Sequence, residues 1–250
     1  MKTAIITGAS AGLGQEYIRQ IHSFFPEIQS FWLIARRPGR TELPQIEGVE
    51  LKPVALDLTA PDSIDILRCL LESQSPKVEL LVNCAGCGYL GDFADSDLDE
   101  QLRMTDLNIR ALTAVTRTAL PFMADGSRII NISSIASFVP TARMTVYGAT
   151  KSYVSAFSRG LHTELKPRKI SVTAVCPGPM ETEFLSVGRI KGQSKTFDTL
   201  PYCDPVKVVR GSLKAAKKHR AVYTPKALYK LYRVLASLIP HAIFVHFAKT

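Results

Sequence analysis

The stretch TAIITGASAGLGQEY, Thr3 to Tyr17, decides how the rest of the chain is read. Its first residues form a short apolar run of strand type, and a helix-compatible run follows. Glycines at 8, 12 and 14 fall between the two. A glycine-rich turn lets the backbone come close to a pyrophosphate. The amide groups at the start of the next helix then supply hydrogen bonds and a favourable dipole. An ordinary tight turn would use the same glycines. The position directly after a first strand and directly before a helix favours nucleotide binding. Gly8, Ser10, Gly12, Leu13 and Gly14 are therefore candidate cofactor-binding residues.

Working outward, the same alternation of short apolar runs and longer helical ones continues. SFWLIAR, KPVALDL, VELLVNCAG, SRIINISS and KISVTAVCPG read as strands two to six. They are almost uniformly apolar, as expected of parallel strands covered on both faces. Helices are expected near Pro61 to Leu71, Asp97 to Met123 and Thr145 to Leu165, with Pro61 in a first helical turn. RAVYTP is short enough for a seventh, edge-side strand. The expected fold is α/β: a doubly wound, Rossmann-type parallel sheet of about seven strands with helices on both faces. Residues 1–225 would form one catalytic domain. Residues 179–203, which lack firm periodicity, would form a binding loop. The helix at DPVKVVRGSLKAAKK would start at Pro205 with Asp204 as N-cap. Residues 226–250 would form an amphipathic tail.

Composition agrees with a single folded unit. The 250 residues are 46% hydrophobic and 21% charged, with a formal net charge of +9. The charge suits a solvated basic face, an anionic ligand or an anionic membrane. No reader motif accompanies it, so nucleic acid is not expected as a partner. The five cysteines are scattered and odd in number, which argues against a disulfide framework. Cys84 and Cys87 make a C-x-x-C without a second pair or a nearby histidine, so redox or metal use is discounted. No secretory signal and no stretch of 18 apolar residues is visible. A cytoplasmic protein is expected, with membrane association left open.

The end of strand two bears on the cofactor. An acidic residue there would accept from a ribose 2′-hydroxyl, but the chain has Arg36 and Arg37. Guanidinium groups suit a 2′-phosphate. NADP(H) is therefore favoured over NAD(H), although Arg37 also suits a plain surface position. Asp57, with Leu58 beside it at the end of strand three, would bond adenine or serve as a simple cap.

VYGATKSY, Val146 to Tyr153, places Tyr147 and Lys151 one helical turn apart. They follow strand five, which ends in Ser133 and Ser134. A parallel sheet opens its binding crevice at the carboxyl ends of its strands, so these groups share an edge with the glycine turn. A nearby ammonium favours the phenolate form of a tyrosine and would poise it for proton transfer.

With these residues in view, the sequence resembles a classical short-chain dehydrogenase/reductase. TGASAGLG, Thr7 to Gly14, matches the family's T-G-x-x-x-G-x-G, and Tyr147 to Lys151 its Y-x-x-x-K. The family's serine lies thirteen positions before the tyrosine, which selects Ser134 over Ser133. NCAG, Asn83 to Gly86, resembles the family's N-N-A-G with Cys84 replacing an asparagine. The resemblance implies catalytic roles for Asn108, Ser134, Tyr147 and Lys151, with the Asn108 backbone holding a water in a proton relay. It also implies cofactor contacts from Asn83, Ala85, Gly86, Tyr147, Lys151, Pro177, Gly178 and Thr182. A segment from about Glu183 to Leu200 would cover the substrate, with Phe184, Leu185, Phe197 and Leu200 as apolar lining. The implied activity is hydride transfer between NADP(H) and a lipophilic carbonyl or alcohol, in a homodimer or homotetramer. An NAD(H)-linked alcohol dehydrogenase and a non-catalytic dinucleotide sensor are the alternatives.

The tail repeats apolar residues at spacings of three and four: Leu228, Leu231, Tyr232, Leu235, Leu238 and Ile239. Lys226, Lys230 and Arg233 flank this stripe. It would be buried over the substrate site or a partner subunit, lie on a membrane surface, or pack in the core. His241 and His246 read as solvated or packed rather than as ligands.

Overall fold

The structure is a computed structural model and describes residues 1–39, 43–190, 192, 194 and 198–240 of the chain. Among these, seven strands form one sheet: β1 (Lys2–Thr7), β2 (Ser30–Ala35), β3 (Glu50–Ala55), β4 (Lys77–Asn83), β5 (Met123–Ile132), β6 (Ser171–Val175) and β7 (Val222–Tyr223). Every pairing is parallel and the order is β3-β2-β1-β4-β5-β6-β7. The order reverses direction between β1 and β4, which makes the crevice between their carboxyl ends the natural ligand site.

The near-uniform apolar character of the central strands follows from the two layers that sandwich them. On one face α1 (Gly12–Phe24) and α7 (Pro205–Lys217) pack Tyr17, Ile18, Ile21, Val209 and Leu213 against Ala4, Ile6 and Leu33. On the other, α2 (Ser63–Gln74) and α4 (Leu112–Ala119) pack Leu67, Leu71 and Val115 against Ile5, Ile34 and Leu81. Consecutive residues of β1 thus feed opposite cores, the period-two geometry of a strand buried on both sides. The Tyr17 hydroxyl, buried between α1 and α7, bonds the Ser212 hydroxyl at 2.6 Å.

The structure departs from several expectations. Pro61 stands in the turn before α2 rather than in its first helical turn, because the helix begins at Ser63. β3 ends at Ala55, short of the expected run to Leu58. It is an edge strand, which accounts for its tolerance of Pro53. The single helix expected from Asp97 to Met123 is composite. It runs as α3 (Leu98–Thr105), a π-helical segment (Asp106–Ala111) and α4, then a 3₁₀ turn (Leu120–Phe122). Met123 belongs to β5; Pro121 cannot continue the helix. The long α5 (Thr145–Glu164) and Asp204, whose side chain accepts from the Val206 amide at 2.8 Å, stand as read. The loop after β6 includes a short helix, α6 (Glu183–Val187). α8 (Ala227–Leu238) follows β7.

Candidate active site

At two of its three glycines the turn is built by contacts that leave no room for a side chain. Gly8 has φ +68°, and a Cβ there would lie 2.8 Å from the Ala85 amide nitrogen. A Cβ on Gly14 would collide with the Gly8 carbonyl, so the helix start sits directly on the turn. Thr7 ties this turn to the loop after β4: its hydroxyl accepts from the amides of Cys84 and Ala85, both at 3.1 Å. The first turn of α1 carries neither a side-chain cap nor an acidic residue, which leaves its amides available to an anion.

This turn forms one end of a cavity of about 690 Å³. Ser10, Gly12, Leu13, Arg36, Arg37, Asp57 and Leu58 line that end, together with Arg103, which the sequence reading missed. Burial works to raise the Asp57 carboxyl, but the Thr59 hydroxyl (2.7 Å) and amide (3.0 Å) outweigh it. With Arg103 and Arg36 beyond, they hold the carboxyl below its ordinary value. The Arg103 guanidinium is 4.0 Å from it. Asp57 therefore caps its own turn and sits between two arginines. No helix is capped by it, since the residue before α2 is Asp62.

The other end of the cavity gathers Ser134, Tyr147, Lys151, Pro177, Gly178 and Thr182, with Ala85 and Gly86 between the two ends. Tyr147 and Lys151 are buried on one face of α5, and the Lys151 ammonium is 5.6 Å from the centre of the tyrosine ring. Its nitrogen also donates to the Ile132 carbonyl at 2.9 Å. Ser134 hydrogen-bonds the Tyr147 side chain. Ser133 is otherwise engaged, donating to the Lys151 carbonyl at 2.8 Å, so the two serines differ in role by where β5 aims them.

Burial dominates the electrostatics. It pushes the Tyr147 phenol up to about 12, against the Ser134 hydrogen bond, and the Lys151 ammonium down to about 8. The resting phenol is thus raised on balance rather than lowered as expected, because burial outweighs the Ser134 hydrogen bond. The lysine charge is itself disfavoured by desolvation, and its nitrogen is committed to a carbonyl. Cys84 is likewise pushed up to about 12 and Cys87 is raised, both by burial, so neither thiol is poised to ionise.

Asn108 lies in the π-helical segment and is buried. Its side chain is fully used: it accepts from the Cys87 amide (3.0 Å) and donates to the Cys87 carbonyl (2.8 Å) and the Thr150 hydroxyl (3.0 Å). Any relay through this residue falls to its backbone. Two candidate cofactor residues do not line the cavity. Gly14 acts under the turn. Asn83 turns away from the cavity, donating to Thr116 of α4 and to Asn131 of β5, both at 2.9 Å.

Phe184, Leu185 and Leu200 line the cavity as expected, whereas Phe197 lies outside the described residues. The Phe184 and Tyr147 rings are 5.6 Å apart, and a Cβ on Gly88 would lie 2.6 Å from both. Met144, Cys87 and Ile190 complete a compact apolar cluster around Tyr147. The tail helix supplies Tyr229, which the reading of the stripe omitted, and Tyr232, which belongs to it. Tyr229, almost fully buried, presses on Gly178 and donates to the Pro201 carbonyl at 2.7 Å. Tyr232 lines the cavity beside it and packs on Phe138. Most of the expected stripe points outward: Leu228, Leu231, Leu235 and Leu238 are exposed. His241, His246 and the rest of the tail beyond Pro240 lie outside the described residues.

One cavity joins an anion-accepting glycine turn to a buried cluster of phenol, hydroxyl and amine, an arrangement with the chemistry that a dinucleotide-dependent oxidoreductase needs. Comparison with known proteins agrees. A family model described as short chain dehydrogenase matches residues 2–190. An uncharacterized oxidoreductase of Staphylococcus epidermidis is 29% identical over 208 residues, covering 82% of this chain and 89% of its own. The very-long-chain 3-oxoacyl-CoA reductase of Anas platyrhynchos is 33% identical over 208 residues, covering 78% and 65%. A short-chain dehydrogenase from Sphingobium yanoikuyae, solved in complex with NADPH, is 30% identical with a TM-score of 0.78 over 97% of both chains. The bulky-bulky ketone specific alcohol dehydrogenase from Comamonas testosteroni is 29% identical with a TM-score of 0.73, over 97% and 96%. The chain belongs to the short-chain dehydrogenase/reductase family and is an oxidoreductase of that type.

Proposed function

We propose that the chain is an NADP(H)-dependent reductase of lipophilic ketones or aldehydes. The observation that carries this reading is the polarity of the cavity. Arg36 and Arg37 stand at one end, while Tyr147 faces Phe184, Leu185 and Met144 at the other. Two guanidinium groups at the end of β2 favour a 2′-phosphate over a bare ribose hydroxyl. The relative solved with NADPH and the relative specific for bulky ketones support the same choice. When bound, the nicotinamide supplies the hydride that reduces the carbonyl carbon.

The protein's own residues handle the oxygen and its proton. Ser134 orients the carbonyl oxygen by donating to it. Tyr147 gives its phenolic proton to that oxygen. A phenol pushed up to about 12 holds this proton throughout the neutral range, as an acid for reduction must. Lys151, one turn along α5, stabilises the phenolate left behind. The Asn108 carbonyl in the π-helical segment positions the water that returns the proton. The apolar cluster around Tyr147 excludes other water and selects carbonyls with hydrocarbon substituents.

The test is a comparison of Michaelis constants for NADPH and NADH with a panel of ketones graded by chain length. Preference for NADPH and rising kcat/KM with substituent size are expected. Preference for NADH, or for small polar carbonyls, would reject the reading.

A further inference from the structure

The net charge of the chain is not spread evenly. Ten of its 31 lysines and arginines lie after Asp204, and none of its 22 acidic residues does. The first 204 residues therefore carry a formal charge of −1, and the whole basic excess belongs to the C-terminal stretch. Within that stretch α8 divides into two faces. Tyr229, Ala236 and the half-buried Tyr232 and Arg233 turn inward, the last donating to the Thr224 hydroxyl at 3.1 Å. Leu228, Leu231, Val234, Leu235 and Leu238 turn outward, with Leu231 at 55% and Leu238 at 74% exposure. Exposed Lys226 stands at the start of the helix and exposed Lys230 beside the apolar face.

We propose that the outward face of α8 docks on an anionic lipid surface. An amphipathic helix of this kind seats its leucines among the acyl chains while its lysines meet the head groups. A second copy of the chain is the poorer occupant, since apposing two such stretches would bring like charges together with no acidic residue in either to relieve them. The sequence after Pro240, HAIFVHFAKT, adds further apolar and aromatic residue types and again no acid. No helix among the described residues is long and apolar enough to cross a membrane, and the proposed contact is made along the face of α8. Leu228 belongs to both the exposed face and the cavity wall. Docking therefore sets the lip of the cavity against lipid.

The docking does not rest on the chemistry proposed above, and it is read without turnover. The purified full chain is sedimented with phosphatidylcholine vesicles with and without phosphatidylserine, at low and physiological salt. Binding that needs phosphatidylserine and weakens with salt is expected. In Leu231→Glu/Leu235→Glu the apparent partition coefficient should fall at least about tenfold, with circular dichroism and melting temperature unchanged. Lys226→Glu/Lys230→Glu, which leaves the leucines in place, should lose the preference for phosphatidylserine. Absence of wild-type binding, or equal binding to both vesicle types, would overturn the proposal. So would sedimentation equilibrium in which the leucine variant alone turns an oligomer into a monomer, which would assign the face to a second copy.

Discussion

Lys151 holds its nitrogen 5.6 Å from the centre of the Tyr147 ring while donating it to the Ile132 carbonyl at the end of β5. The lysine is therefore anchored by the sheet itself at a fixed distance from the phenol, while burial and Ser134 set the proton affinity of the resting phenol. This relationship orders the expected behaviour of the site.

Replacing Tyr147 with Phe removes the only atom proposed to protonate the substrate oxygen. Turnover should fall by about 10²- to 10⁴-fold, the usual contribution of a positioned acid. NADPH affinity, measured by fluorescence titration, should change little. Retention of wild-type turnover would remove Tyr147 from the mechanism.

Reduction should slow as pH rises through about 8, where Lys151 loses its proton and can no longer stabilise the phenolate. Tyr147 itself stays protonated to about 12, so its own titration cannot produce that limb. A pH profile of kcat/KM locates it, because that ratio reports the free enzyme. Lys151→Arg should move the limb upward, since a guanidinium stays charged. A limb unmoved in this variant would assign it to another group.

Arg36→Ala should raise the Michaelis constant for NADPH and leave that for NADH nearly unchanged. Loss of a charge-assisted hydrogen bond of about 1.5–3 kcal/mol corresponds to at least about a tenfold effect. Equal effects on both cofactors would place Arg36 away from the 2′-phosphate.

Gly178→Ala should destabilise the fold by about 1–3 kcal/mol, because the new methyl group would meet the buried ring of Tyr229. Denaturant unfolding measures this. A companion Tyr229→Ala substitution should relieve much of the conflict, and simple additivity of the two would show that they do not touch.

Asn108→Ala should cost about 2–5 kcal/mol of stability, since it strands the amide and carbonyl of Cys87 and changes the partner of Thr150 inside the protein. Thermal unfolding reads this directly. A change below about 0.5 kcal/mol would show that water replaces the side chain.

The sheet and the placement of the site were largely legible from local pattern. Apolar runs punctuated by glycine turns report a strand buried on both faces, and the order of elements then restricts the crossovers to few arrangements. Spacing put Tyr147 and Lys151 on one face of α5. The bare end of β2 directed attention to Arg36. These signals depend on residues near one another in sequence, where backbone geometry alone sets the relation.

What depended on distant residues could only be decided in three dimensions. Ser133 and Ser134 are neighbours in sequence, yet one secures α5 and the other meets Tyr147. Arg103 joins the cavity because its side chain, on α3, comes within 4.0 Å of Asp57 just past β3. The tyrosine shift reverses the expected sign, since desolvation is a property of everything packed around the ring. The inward turn of Tyr229 and the outward turn of the leucines on α8 follow from which face fits over Gly178. Helical periodicity defines a stripe, but only packing against a surface chooses which side is buried.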